Sequence, residues 1–106
     1  MPKYLLEVNY TLDGIRGVTA KGGSARKAAA QTAAKSLGGK VESFYFAFGK
    51  SDVYTVVDLP DNQAAAALAL AVTSAGGATV RTVVLLTPEE IDGVAQTKVK
   101  YTPPTA

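Results

Sequence analysis

Residues 41–59 read VESFYFAFGKSDVYTVVDL. Two runs rich in aromatic and β-branched residues flank Gly49-Lys50-Ser51-Asp52. Such side chains suit a pleated, half-buried strand, and glycine with aspartate suits a reversal of the chain. The stretch predicts a hairpin of strands Val41–Phe48 and Val53–Leu59. By the period of two, Glu42, Phe44, Phe46 and Phe48 share one face of the first strand, and Val41, Ser43, Tyr45 and Ala47 the other.

On either side of the hairpin lies a helix. Before it, Ser24 is placed as an N-cap, its hydroxyl positioned to accept from a first-turn N–H. Lys27, Gln31 and Lys35 form a polar stripe, and Ala30, Ala33, Ala34 and Leu37 the packing stripe, until Gly38-Gly39 ends the helix. After the hairpin, Pro60-Asp61 opens a second helix that runs to about Ala75 and stops at Gly76-Gly77. No charged residue stands between Asp61 and Arg81. Either this helix is buried on every side, or its alanines are exposed and chosen for helix propensity.

Outermost are two more strands, residues 3–10 and 79–86, the first alternating Tyr4, Leu6, Val8 and Tyr10 against Lys3, Leu5, Glu7 and Asn9. The order βαββαβ is the split βαβ pattern, so the expected fold is α+β: a ferredoxin-like two-layer sandwich with an antiparallel sheet. Thr87-Pro88-Glu89-Glu90 has the residues of a capping box and predicts a short extra C-terminal helix. Residues 11–23, with four glycines, read as a loop holding one helical turn at most. Residues 1–96 form the expected domain, and 97–106, with Pro103-Pro104, an extended or disordered tail.

Composition narrows the chemistry. The 106 residues are 47% hydrophobic and 19% charged, with a net charge of +2 and neither Cys nor His. Thiolate, imidazole and disulfide chemistry are excluded, and with them the usual zinc, copper and haem ligands. The acids Glu89, Glu90 and Asp92 are explained by the first turn of a helix. Phe48-Gly49-Lys50-Ser51 ends like a P-loop, but Phe44 stands where glycine is needed and a strand follows. The RNA-recognition module shares this element order, yet Asp52–Val57 lacks its Lys/Arg-Gly-aromatic opening and no basic stripe is present, so no nucleic acid is expected. The longest apolar run, Ala64–Val72, is too short to span a membrane. Glu7 interrupts the N-terminus before a leader's apolar core forms, and a cytoplasmic location is the expectation.

Neither face of the hairpin is clearly polar. A sheet face that meets water normally is, so a second copy of the chain is the expected partner, in a dimer at least. The polar side chains left for a site are Tyr10, Arg16, Tyr45, Asp52, Tyr54 and Arg81, the residue types a site without histidine would use. The basic, glycine-rich segment from Gly14 to Gly23 reads as a mobile loop, or as one that binds an anion, and its place beside Tyr10 makes it the best candidate for a lid.

Several stretches together resemble the GYD-domain family, which is placed with the dimeric α/β-barrel folds. They are Tyr10-Thr11 with Asp13-Gly14-Ile15-Arg16, Leu37-Gly38-Gly39-Lys40-Val41 running into Ser43-Phe44-Tyr45, and Gly49 with Asp52. Leu59-Pro60-Asp61, Val80-Arg81-Thr82 and Leu86-Thr87-Pro88-Glu89-Glu90 complete the set, over about residues 2–95. The family's Gly-x-Tyr-Asp turn here carries Ser51 in place of tyrosine. The resemblance implies association through open sheet faces and no settled activity. The leading expectation is a small oligomeric module that binds a small ligand between sheet and helices, without a cofactor. A cofactor-independent oxygenase or isomerase, and a purely structural assembly protein, are the other readings.

Overall fold

The central hairpin forms as its composition dictates. In the computed structural model, which describes residues 1–105, β1 spans Lys3–Tyr10, β2 Lys40–Phe46, β3 Val53–Asp58 and β4 Ala78–Leu85. All pairings are antiparallel, in the order β2-β3-β1-β4. This is the ferredoxin-like sheet, with β1 in the middle because it pairs with both β3 and β4.

Four helices accompany the sheet: α1 (Leu12–Lys21), α2 (Gly23–Ser36), α3 (Asn62–Ser74) and α4 (Pro88–Ala95). α2 lies over β2 and α3 over β4, on one face of the sheet. Asp61 caps α3, accepting from the Ala64 N–H at 2.9 Å. Thr87 and Glu90 complete the expected capping box at α4. Gly38, at φ +80°, closes α2 in a conformation that side chains with a Cβ rarely adopt.

The core lies between the sheet and these helices, built from Tyr4, Leu6, Val57, Leu59, Ala65 and Leu68. Tyr4 is buried, and its hydroxyl donates to Asn62 Oδ1 at 2.7 Å, so its one polar group is satisfied. Only Ala34 of α2 is fully buried. On α3, Ala65 and Leu68 face inward while Ala66, Ala67 and Leu70 are exposed. The alanines on its outer side therefore serve helix propensity, not burial.

Three local expectations are corrected. Residues 11–23 are not a loop but hold α1: Thr11 caps it, accepting from the Gly14 N–H at 3.2 Å, and Leu12, Ile15 and Val18 give it an apolar stripe. Ser24 is not the cap of α2. α1 runs so close to α2 that Gly22, at φ +85°, is the only residue between them and occupies the cap position without a side-chain bond. Finally, β2 stops at Phe46 and not at Phe48, because Ala47 N–H donates to the Asp52 carbonyl at 2.9 Å and closes the turn there.

β2 also slips register between Val41 and Ser43. The extra residue, Glu42, leaves the aromatic face and reaches Lys3 at 3.2 Å, while Val41 joins Phe44 and Phe46 on the helix side. Thr55 spans the irregularity, its hydroxyl donating to the Ser43 carbonyl at 2.7 Å.

α4 does not pack extensively on any other element. The Cα radius of gyration is 16.8 Å, against about 13 Å for a compact chain of this length. α4 and residues 97–105 thus project from the body, and those tail residues form neither strand nor helix. Residue 106, also part of the expected tail, lies outside the described residues.

Candidate functional site

α2 supplies the sheet with alanines where a tightly packed helix would supply larger groups. Ala29, Ala30 and Ala33 face Val53, Val57 and Phe44 across a gap, because a methyl group cannot span the space that a leucine would. The result is a chamber of about 110 Å³ between sheet and helices, bounded on the α3 side by Leu68 and Val72. Its one deep hydroxyl, Thr55, is already committed to the Ser43 carbonyl.

The chamber opens outward into a vestibule of about 530 Å³. α1 forms one wall through Asp13, Gly14, Gly17 and Lys21, and the end of α3 with Gly76-Gly77 forms another. Tyr10, Arg26, Ala33, Leu68, Val72 and Ala78 line both spaces and so mark the neck. Tyr10 is held from two sides. Its ring stacks on Phe46 with centroids 6.4 Å apart, and its backbone N–H donates to Asp52 Oδ2 at 2.8 Å. Its hydroxyl makes no hydrogen bond to the described residues.

The position of α1 depends on close backbone contact. Thr11 N–H donates to the Gly77 carbonyl at 3.0 Å, and the Thr11 hydroxyl to the Gly76 carbonyl at 2.8 Å. A Cβ on Gly14 would lie 1.9 Å from the Gly77 carbonyl oxygen, so only glycine lets the helix seat there.

The six residues singled out from the sequence are divided by the sheet. Tyr10 is at the neck of the cleft. Arg16 is exposed on α1 and lines neither space. Tyr45, Tyr54 and Arg81 lie on the opposite, uncovered face, as the register shows: Tyr45 pairs with Tyr54, Tyr54 with Glu7 and Glu7 with Arg81. Asp52 acts on the fold: besides accepting from Tyr10, its own N–H donates to the Val8 carbonyl at 2.8 Å, clamping the turn onto β1. Arg81 donates to the Ser51 hydroxyl and stands 4.0 Å from Glu7.

The uncovered face carries Leu5, Val56, Val83 and Leu85 between these polar groups, and Tyr45 is 70% exposed there. At its edge Lys3 donates to Asp58 Oδ1 at 2.8 Å and to Glu42, and these carboxylates raise the lysine above its ordinary value. Among the described residues, no three carboxylates gather as a metal site.

The family model for the GYD domain matches residues 4–95. The chain belongs to the GYD domain family. This family is of uncharacterised function, and no curated protein and no solved structure matches the chain. In this GYD domain, Gly49 and Asp52 bound the hairpin turn, and Asp52 is the clamp just described. Ser51, in the same turn, is fully buried and bonded by Arg81. Among the described residues, no helix of the GYD domain is long and apolar enough to cross a membrane.

Arg26 was not among the residues singled out from the sequence. The signal was present: Arg26 precedes Ala30 by four residues and Ala33 by seven, so it heads the inward-facing stripe of α2. A cation on a stripe of alanines marks the point where a packed face opens to water.

Proposed function

We propose that this GYD domain is a homo-oligomeric binding module that takes a small organic ligand into the cleft between sheet and helices. The observation that carries the reading is the continuity of the cleft from an open vestibule to an apolar chamber. Protein interiors leave few voids larger than a water molecule, and a concave, mostly apolar site with a few polar groups at its neck is the usual form of a ligand pocket.

Binding is favoured over turnover by the lining of the chamber. Aliphatic side chains dominate it, and Thr55 has its hydrogen bond already. A cofactor-independent oxygenase or isomerase rests on analogy between folds alone. The oligomer is supported by the uncovered sheet face, whose centre is apolar and whose rim is charged, the usual anatomy of an interface.

Native mass spectrometry of the purified chain tests both parts. At micromolar concentration the mass is expected at a multiple of the monomer, with a small non-covalent adduct. Ala33→Phe places a ring at the neck and is expected to remove the adduct while leaving the oligomer. A monomer at that concentration overturns the assembly, and an adduct unchanged in Ala33→Phe overturns the cleft.

A further inference from the structure

We infer that the cleft takes a small organic anion, with a short apolar body in the chamber and an acidic head group at the neck held by Arg26. The inference rests on the binding reading above and adds the chemical class of the ligand.

The inner space sets the body. A chamber of about 110 Å³ is somewhat smaller than the roughly 150 Å³ apolar cavity that stays dry and admits benzene. Leu6, Val8, Val53, Val57, Leu68 and Val80 offer it no free donor or acceptor. A polar group carried inside would lose its hydrogen bonds to water without replacement, at about 1–3 kcal/mol on protein scales. Only a short alkyl chain or part of a ring fits both the volume and the lining.

The neck sets the head group. Arg26 lines both spaces, so a molecule whose body fills the chamber brings its other end past the guanidinium. Arg26 has no ion-pair partner among the described residues. Lys21 adds a second cation to the vestibule wall, and Asp13 is the one acid there. The lining therefore carries a net positive charge, which disfavours a cationic head group and attracts an anionic one. The planar guanidinium presents paired N–H donors that match carboxylate, sulfonate or phosphate oxygens. The Tyr10 hydroxyl, without a partner among the described residues and at the same neck, supplies a further donor.

Three probes of equal chain length separate the contributions in calorimetric titrations of the full chain: hexanoate, 1-hexanol and hexylammonium. Hexanoate is expected to bind at least about tenfold tighter than hexylammonium, with hexanol between them, since a charge-assisted hydrogen bond contributes about 1.5–3 kcal/mol. Arg26→Gln is expected to weaken hexanoate about tenfold and to leave hexanol within twofold; Lys21→Gln is expected to have the smaller effect. Because Arg26 is exposed, circular dichroism of Arg26→Gln should match that of the parent. If hexanol binds and Ala33→Phe abolishes that binding, but hexylammonium equals hexanoate or Arg26→Gln changes nothing, the head-group inference fails and the cleft reading stands. If no probe binds, or if Ala33→Phe leaves binding of all three unchanged, both fail.

Discussion

Gly14 and Gly17 lie on the same helix, three residues apart, and alanine at the two positions is expected to act in opposite directions. At Gly17 a Cβ meets nothing within 4 Å, whereas at Gly14 it would lie 1.9 Å from the Gly77 carbonyl oxygen. Gly17→Ala therefore gains only helix propensity, about 0.8–1 kcal/mol. Gly14→Ala gains the same, but α1 must retreat by more than 1 Å to restore ordinary contact. Overpacking of this kind costs about 1–3 kcal/mol. The retreat also stretches the two bonds from Thr11 to Gly76 and Gly77, each worth about 0.5–1.5 kcal/mol. A net loss of about 2 kcal/mol follows, or a fall in Tm on the order of 10 °C for a domain of this size. Thermal and urea denaturation at one fixed protein concentration reads both variants, the fixed concentration removing any contribution from association. If Gly14→Ala is as stable as Gly17→Ala, α1 is not seated on the α3–β4 turn, and the vestibule loses its wall.

Other expectations follow from single contacts. Leu59 is fully buried, so Leu59→Ala should cost about 2–5 kcal/mol in urea denaturation; a change below 1 kcal/mol would place the core elsewhere. Asp52→Ala leaves the Tyr10 N–H without its acceptor and should cost about 1–3 kcal/mol, with Asp52→Asn milder because an amide oxygen remains; equal effects would refute the clamp. At α4, the Thr87 backbone N–H donates to Glu90 and, with the Thr87 hydroxyl, holds that carboxyl below its ordinary range. Its capping contribution is thus fully present above the ordinary value of about 4.3 and is lost as pH falls through the lowered value in the folded state. A pH titration of the Thr87 amide resonance should therefore show a midpoint below that of Glu90 in the unfolded chain, and a midpoint at or above it would contradict the capping box.

Features set by neighbours in the sequence were legible there, and features set by contacts across the fold were not. Asp61 and Thr87 cap their helices from within one turn, and the strand periods are local, so β1, β3, β4, α3 and α4 follow from the chain directly. α1 was hidden because Gly14 and Gly17 read as breakers. Gly14 is glycine for the sake of Gly77, more than sixty residues away, and the Thr11 cap was the cue that outweighed it. The irregularity in β2 depends on a hydroxyl from β3 meeting the Ser43 carbonyl, a pairing no spacing within β2 encodes. The same limit divided the candidate site. Alternation tells which residues of one strand share a face, but only register tells that Tyr10 faces the helices while Tyr54 and Arg81 face away.

The projecting arm gives the chain two tiers of stability. Because α4 shares little packing with the sheet, its opening need not disturb the core, and an eight-residue helix has little cooperativity of its own. A protease should therefore cut between Leu86 and Thr97 long before it cuts β1 to β4, leaving a trimmed body with the whole sheet intact. Global denaturation of that body should match the full-length chain, so the arm's sequence is free to change without a cost to folding. Selection on Leu86, Ile91 and Val94 would then report on whatever those exposed apolar side chains meet.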